Sequence, residues 1–237
     1  MSRGRAATLL VYAAAAAAAY GLKAHFSAAN ADDLRWLLAP TCWLAGHLGG
    51  IAFTHEPGAG FISHAERLVV GPACAGLNFL IICFAALFFS LAHRFEGARR
   101  RAAWLVACLA LAYVATILTN ATRVIVAARL YHLPPGSGVF TPARLHRLMG
   151  TVLYCLSLVG VHHVADRCTD VRRDGKASWL IPLGCYLGMT LVVPLLHRPS
   201  LARDLRFVEH AAFVVGTLVV LGGGILAAKA AAARLGT

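Results

Sequence analysis

Charged residues are scarce in this chain: they make up 14% of its 237 residues, against about 25% in an average soluble domain. Acidic residues are the scarcest, with ten Asp and Glu against 22 Lys and Arg. So little charge argues against an ordinary water-soluble globule. Disorder is excluded as well, because 59% of the residues are hydrophobic and the mean hydropathy is +0.69, whereas disordered segments are poor in apolar residues.

The formal net charge is +12, and so basic a chain could bind nucleic acid. The basic residues, however, fall in short clusters between long uncharged runs, which is how a protein with several membrane spans distributes them. We therefore predict an all-α, polytopic transmembrane helix bundle with short outer-face loops and no nucleic-acid partner. The whole chain, 1–237, forms one integral membrane domain in this interpretation.

Uncharged runs of about 20 residues are long enough for a helix to cross a hydrocarbon core about 30 Å thick. Such runs indicate six or seven crossings. The number depends on the second run, Trp36–Thr54, which Pro40 and three glycines interrupt. This run could cross the membrane, form a re-entrant segment or lie on the surface. The first run follows Arg3 and Arg5, and we expect it to be a retained anchor rather than a cleaved signal peptide. The runs are Ala6–Leu22, Trp36–Thr54, Leu68–Ala92, Ala102–Thr122, Leu148–Ala165, Ala177–Leu196 and Ala211–Ala228.

The Lys and Arg residues of the loops give a weak preference for one orientation. With the segments Ala92–Ala102 and Ala165–Ala177 and the C-terminus on the cytoplasmic side, that side carries ten of these residues and the opposite side seven, with Arg123 and the four basic residues of the first 35 positions left aside. An excess of positive charge inside is the usual bias. On the opposite, outer side, the turn residues Pro57 and Gly58 and the alternation in Phe61–His64 favour a small hairpin.

Seven cysteines are present, and no two of them form a C-x-x-C pair or have a spacing typical of zinc ligands. Most lie singly inside apolar runs, where a cysteine usually behaves as a small buried hydrophobe. The sequence therefore predicts no metal site and no cofactor. Cys74 differs from the others because polar and basic residues accompany it.

Three motifs fall at one membrane boundary. Cys74 lies near the start of one span, in G-P-A-C-A-G-L-N; Arg123 follows the end of the next span, in N-A-T-R-V; and His146 precedes the span after that, in L-H-R-L-M-G. The chain enters after the first motif, returns before the second and enters again after the third. Counting crossings alone therefore places all three residues on one side, whatever the absolute orientation.

A thiol, a guanidinium and an imidazole at one boundary suit acyl-transfer chemistry. Cys74 would act as a thiolate nucleophile, and Arg123 would stabilise the thiolate or the oxyanion of the tetrahedral intermediate. The imidazole of His146 would move the proton, because histidine ionises near working pH. Taken singly, each residue has an ordinary structural explanation: a packed thiol, an interfacial arginine, a solvated loop histidine. Their coincidence at one boundary favours catalysis.

Three further residues are candidates for binding or orienting a substrate peptide. Gly76 would let the backbone approach closely. Asn78, four residues after Cys74, and Asn120, three before Arg123, would share the faces of those residues if each pair lay on a helix.

In the order Cys, Asn-x-x-Arg, His-x-x-x-Gly within a multi-span chain, these motifs resemble those of the exosortase/archaeosortase family. The likeness covers about Val69–Val161, the expected catalytic core, and the short chain suggests a compact subgroup such as exosortase K. The family pattern usually reads Cys-Ser-Gly, whereas this chain has Ala75 in place of the serine.

The resemblance implies a membrane-embedded cysteine protease or transpeptidase of the bacterial inner membrane, with its active site facing the periplasm. Its substrates would be membrane-anchored proteins with a C-terminal sorting signal of the PEP-CTERM kind: a short motif, an apolar helix and a basic tail. Cys74 would form a thioester at the motif, Arg123 would stabilise charge and His146 would act as general acid and base. The arginine cluster at residues 94–101 would attract anionic lipids.

Two other functional classes stay open at this point. A membrane thiol oxidoreductase would pair Cys74 with Cys42, although the lack of a C-x-x-C motif counts against it. A non-catalytic transporter or scaffold is the other alternative, and the sequence shows no inverted repeat that would favour it.

Overall fold

The structure, a computed structural model, describes residues 3–131, 142–169 and 180–235. It confirms the predicted all-α helix bundle. The helices are α1 (Arg3–Ala28), α2 (Arg35–Gly49), α3 (Leu77–Leu91), α4 (Ala98–Tyr131), α5 (Pro142–Thr169), α6 (Leu180–Leu187), α7 (Val193–His197) and α8 (Leu205–Leu235). Short 3-10 turns at Pro72–Cys74, Ala92–Arg94 and Pro199–Arg203 adjoin α3 and α8, and a π-helical turn, Gly188–Val192, joins α6 to α7.

Five of the described helices are long and apolar enough to cross a membrane, so the chain is a membrane protein. They cover Gly4–Ala28, Pro72–Arg94, Ala98–Leu130, Leu148–Thr169 and Leu205–Gly224. A sixth apolar stretch, Leu180–Leu196, is shorter. At about 1.5 Å per residue it measures about 25 Å, slightly less than the hydrocarbon core.

Helix α3 is the centre of the bundle. In the segment Pro72–Arg94, 67% of the most apolar window is buried inside the protein, against 6% for α1. A helix that is apolar on all sides is normally enclosed by others, and α3 packs against α1, α4, α5 and α6. The rings of Phe84 and Phe88 lie fully buried in this core, so α3 is a rigid base for the residues at its two ends.

Hydrogen bonds between helices fix their relative directions. At one end of the bundle, Arg94 of the turn after α3 forms an ion pair with Asp166 of α5, with 2.6 Å between Nη2 and Oδ1, and Arg101 of α4 donates to Thr8 of α1 at 3.0 Å. We call this the Arg94 end. The opposite end holds Cys74 and is called the Cys74 end. Helices α1 and α4 therefore run toward the Cys74 end, and α3 and α5 run away from it.

Helix α2, with 15 residues, is not among the described helices that are long and apolar enough to cross a membrane. Its first turn meets α4 where Tyr113 donates to the carbonyl of Trp36 at 2.9 Å, and its last turn meets α4 where Arg129 donates to the carbonyl of Gly49 at 2.9 Å. It thus lies parallel to the second half of α4 only. Because α1 ends and α3 begins at the Cys74 end, the chain between them makes no net crossing. Five candidate spans and the shorter apolar stretch 180–196 are present, and the number of crossings stays a prediction.

A small antiparallel sheet lies between α2 and α3. Its strands β1 (Thr54–Glu56), β2 (Gly60–Ser63) and β3 (Leu68–Val70) follow the order β1-β2-β3. The predicted hairpin is β1–β2, and the third strand was not predicted. The Asp32 carboxylate attaches the hairpin turn to the α1–α2 loop, because it accepts the Gly58 N–H at 2.8 Å.

Candidate active site

Cys74 lies in the short turn at the start of the candidate span Pro72–Arg94, before helix α3 itself begins at Leu77. The turn Pro72–Cys74 is 3-10 helical, and its Cys74 N–H donates to the carbonyl of Gly71 at 2.8 Å. The thiol is half-buried, whereas Cys83, in the middle of α3, is fully buried. The turn precedes the positive end of the α3 dipole, which stabilises negative charge developing nearby.

A left-handed residue holds this turn against α4. Gly76 has φ of +71°, and a Cβ at this position would lie 1.9 Å from Nδ2 of Asn120. The same Nδ2 donates to the carbonyl of Ala75 at 3.0 Å. Only glycine therefore permits both the backbone conformation and the close approach, and the buried amide of Asn120 attaches the Cys74 turn to α4.

Arg123 is held in place from α5. Its Nη1 donates to the hydroxyl of Tyr154 at 2.8 Å, and its guanidinium carbon lies 5.4 Å from the centre of the Tyr154 ring. The Tyr154 hydroxyl donates in turn to Oδ1 of Asn120 at 2.8 Å. A Cβ on Gly150 would lie 3.1 Å from Nε of Arg123, so the missing side chain there leaves room for the guanidinium. Asn120, Arg123 and Tyr154 thus form one connected polar cluster.

Cys74 shares a cavity with this cluster. The cavity has a volume of about 20 Å³ and is lined by Leu68, Val69, Val70, Cys74, Asn120, Arg123, Val124 and Ala127. A space of this size holds about one water molecule. The structure therefore brings the thiol and the guanidinium, which the sequence places at one boundary, to one small space at the Cys74 end.

His146 lies in the first turns of α5, one helical turn before Gly150. Since Gly150 lies against Arg123, the backbone of this part of α5 is at the Cys74 end, as the crossing count predicted. The side chain of His146 lies outside the residues that the structure describes. Its role as general acid and base stays a prediction.

The prediction that Asn78 shares a helical face with Cys74 is wrong. Helix α3 begins only at Leu77, and the left-handed Gly76 interrupts the helical geometry between the two residues. The exposed Asn78 amide instead accepts a hydrogen bond from Nζ of Lys23 on α1, at 3.1 Å. By contrast, Asn120 and Gly76 both belong to the site.

Ala75 is buried, and its contact with the site is made by its carbonyl oxygen. Alanine supplies this oxygen as well as serine would. The departure from the Cys-Ser-Gly pattern therefore leaves the contact with Asn120 intact.

Tyr154 is the residue that sequence reasoning missed. It lies four residues after Gly150 and hence on the same face of α5, and its ring stacks on Phe79 of α3 with 4.8 Å between centroids. The available signal was its spacing from His146 and Gly150, eight and four residues, together with the need of a buried tyrosine hydroxyl for a polar partner.

Cys42, the partner required by a thiol oxidoreductase, lines a different cavity. That cavity has a volume of about 390 Å³ and lies between α2 and the sheet, with Trp43, Phe53 and Phe61 among its lining residues. Both Cys42 and Cys74 are free thiols in the structure, and Cys42 is buried. Within the described ranges, no group of three or more His, Cys, Asp or Glu side chains is arranged to hold a metal ion.

The arrangement places a half-exposed thiol, a fixed cation and the Asn120 amide around a small space. A cation fixed before the reaction stabilises an oxyanion without the cost of reorganising, which is usually a large contribution to catalysis of acyl transfer. Comparison with protein-family models gives no match, and comparisons with curated proteins and with solved structures also give none. A functional assignment therefore depends on this geometry and on the motifs.

Proposed function

We propose that this protein is an exosortase-like cysteine protease or transpeptidase that removes the C-terminal sorting signal of membrane-anchored proteins. The observation that carries the proposal is the common cavity of Cys74, Asn120 and Arg123. The order of the motifs supports it, because Cys, Asn-x-x-Arg and His-x-x-x-Gly come from three successive spans whose ends meet at the Cys74 end.

The reaction assigns one task to each residue. The Cys74 thiolate attacks the carbonyl carbon at the sorting motif, and Arg123 stabilises the oxyanion that forms. The carbon–nitrogen bond then breaks, and protonated His146 gives its proton to the leaving amine. This leaves a thioester on Cys74 and releases the tail helix. An acceptor amine or water attacks the thioester, loses a proton to His146, and regenerates the thiolate.

A site within a membrane bundle suits such a substrate. A protein anchored by an apolar helix diffuses in two dimensions, and an enzyme embedded in the same bilayer meets it in a restricted orientation. In this proposal the Cys74 end faces the periplasm of a bacterial inner membrane, and anionic lipids meet the basic Arg94 end, where Arg99 and Arg100 are exposed.

Co-expression with a candidate substrate tests the proposal. The source genome is searched for proteins that end in a shared short motif, an apolar helix and a cluster of Arg or Lys. A tagged precursor of this kind is expressed with the wild-type protein, with Cys74→Ala or with the matched control Cys168→Ala, which changes an exposed thiol at the Arg94 end.

Intact-mass analysis of the precursor gives the result. Loss of the tail with the wild type and with Cys168→Ala, but not with Cys74→Ala, is the expected outcome, and the mass gives the cleavage position. Equal processing by Cys74→Ala would refute the assignment of the nucleophile. An unchanged tail with all three proteins would favour the non-catalytic membrane protein.

A further inference from the structure

Strand β3 is an edge strand of the sheet. It pairs with β2 through Leu68, Val69 and Val70, and within the described part of the chain no strand pairs with its other edge. An edge strand presents backbone N–H and C=O groups that can pair with another extended chain. The side chain of Val69, in the middle of the strand, is 55% exposed.

This edge strand leads directly to the candidate nucleophile. All three residues of β3 line the cavity of Cys74, Asn120 and Arg123. Only Gly71, Pro72 and Ala73 separate the strand from Cys74. A chain paired with β3 would lie about 4.8 Å from it and would therefore pass close to the thiol.

We propose that β3 binds the sorting motif of the substrate as an added antiparallel or parallel strand and so presents its scissile bond to Cys74. The bound partner is an extended polypeptide, because only an extended backbone offers donors and acceptors at the spacing of a strand edge. This inference rests on the proposed function and adds to it the way in which the enzyme holds its substrate.

Backbone recognition predicts a particular chemical preference. The partner needs free amide N–H groups but no unique side-chain sequence at the positions that pair with β3. Its side chains would pack beside the exposed Val69, while the small cavity lined by Val124, Ala127 and Arg123 has room for little more than one oxygen atom of the peptide. Small or apolar residues with an oxygen acceptor at the Arg123 position fit this lining.

Thiol labelling with short peptide reagents tests the inference on the full-length protein. The probes are acetyl-Ala-Ala-Ala chloromethyl ketone and the same compound with an N-methyl group on the central alanine. Each alkylates a thiolate to form a thioether and releases chloride. Peptide mapping follows Cys74, and each rate is divided by the rate of the same thiol with iodoacetamide. The exposed Cys168 is the internal reference.

We expect Cys74 to react about tenfold faster with the unmethylated probe than with the N-methylated probe, since one hydrogen bond at a partly buried site is worth about this factor. At Cys168 the two probes should react equally. Val69→Pro, which removes an N–H from the strand, should reduce the advantage at Cys74. Val69→Thr, which retains the N–H and the branched shape, should preserve it.

Equal normalised rates of the two probes at Cys74 would overturn the inference. So would failure of the peptide probes at a Cys74 that iodoacetamide labels. The probe comparison does not depend on the folding of any variant. It is also independent of the co-expression experiment. Tail removal without a methylation effect would refute this inference alone. A methylation effect without tail removal would leave β3 as a binding edge for an extended peptide but refute both the proposed function and the sorting motif as its occupant.

Discussion

Replacement of Gly76 by alanine should both destabilise the protein and inactivate it. Gly76 has φ of +71°, and its Cβ would overlap the Asn120 amide, with 1.9 Å to Nδ2. The amide cannot keep its hydrogen bond to the carbonyl of Ala75 unless the backbone of the turn moves. Because Cys74 lies two residues earlier in this turn, the thiol would move with it.

The structure gives a magnitude and a matched control for this substitution. An L-residue in the left-handed region costs about 1–2 kcal/mol, and a buried polar group that loses its partner costs about 1–3 kcal/mol more. Gly97 has a similar φ of +78°, but nothing lies within 4 Å of its Cβ position. Gly97→Ala should therefore show the backbone cost alone, about 1–2 kcal/mol.

Denaturation of the purified protein in detergent measures the loss of stability. The labelling rate of Cys74 by iodoacetamide reports the displacement of the thiol. We expect Gly76→Ala to lower the free energy of unfolding by about 2–5 kcal/mol and to change the labelling rate of Cys74. Gly97→Ala should leave that rate unaltered. The second substitution Asn120→Ala should add little to Gly76→Ala, since the two residues act through one contact. Equal losses of stability for the two glycine variants would refute the reasoning.

Three other predictions concern the polar cluster, the opposite end of the bundle and the sidedness of the membrane. Tyr154→Phe removes only the hydroxyl that bridges the amide and the guanidinium, so it should lower the unfolding free energy by about 1–3 kcal/mol and greatly slow tail removal; unchanged processing would contradict the bridging role. Asp166→Asn breaks the ion pair between Asp166 and Arg94, whose side chains are 17% and 26% exposed, respectively. It should destabilise the protein by about 1–3 kcal/mol. The reactivity of Cys74 should stay the same, as thiol labelling of the folded variant would show. In sealed vesicles a membrane-impermeant maleimide should reach Cys74 and Cys168 from opposite sides, and labelling of both from one side would refute the helix directions.

Much of the fold follows from the sequence because the bilayer sets a simple rule for apolar runs. The segment Ala102–Thr122 had to be a span from its length and lack of charge, and it forms the middle of α4. The same rule could not decide whether the segment Trp36–Thr54 crosses the membrane. An apolar run is equally expected in a helix that only packs along part of another helix. The position of this segment depends on contacts with α4, which no local pattern reveals.

The candidate site was predictable to a similar extent. Crossing parity alone placed Cys74 and Arg123 at one end of the bundle. The prediction that Cys74 and Asn78 share a helical face was wrong because Gly76 adopts a left-handed conformation, which depends on the tertiary contact with Asn120. Tyr154 was missed because its partners lie on α4, more than 30 residues away in the chain, and only the packed structure brings these helices together.

The most direct test of the central claim is to detect the covalent intermediate. The purified protein is mixed with a precursor that it processes, and its intact mass is measured soon afterwards. Part of the protein should show a mass increase equal to the mass of the precursor after loss of its tail. Hydroxylamine should release this adduct, because a thioester reacts readily with it, and peptide mapping should place the adduct on Cys74. Tail removal by Cys74→Ala, or an adduct on any other residue, would contradict the account.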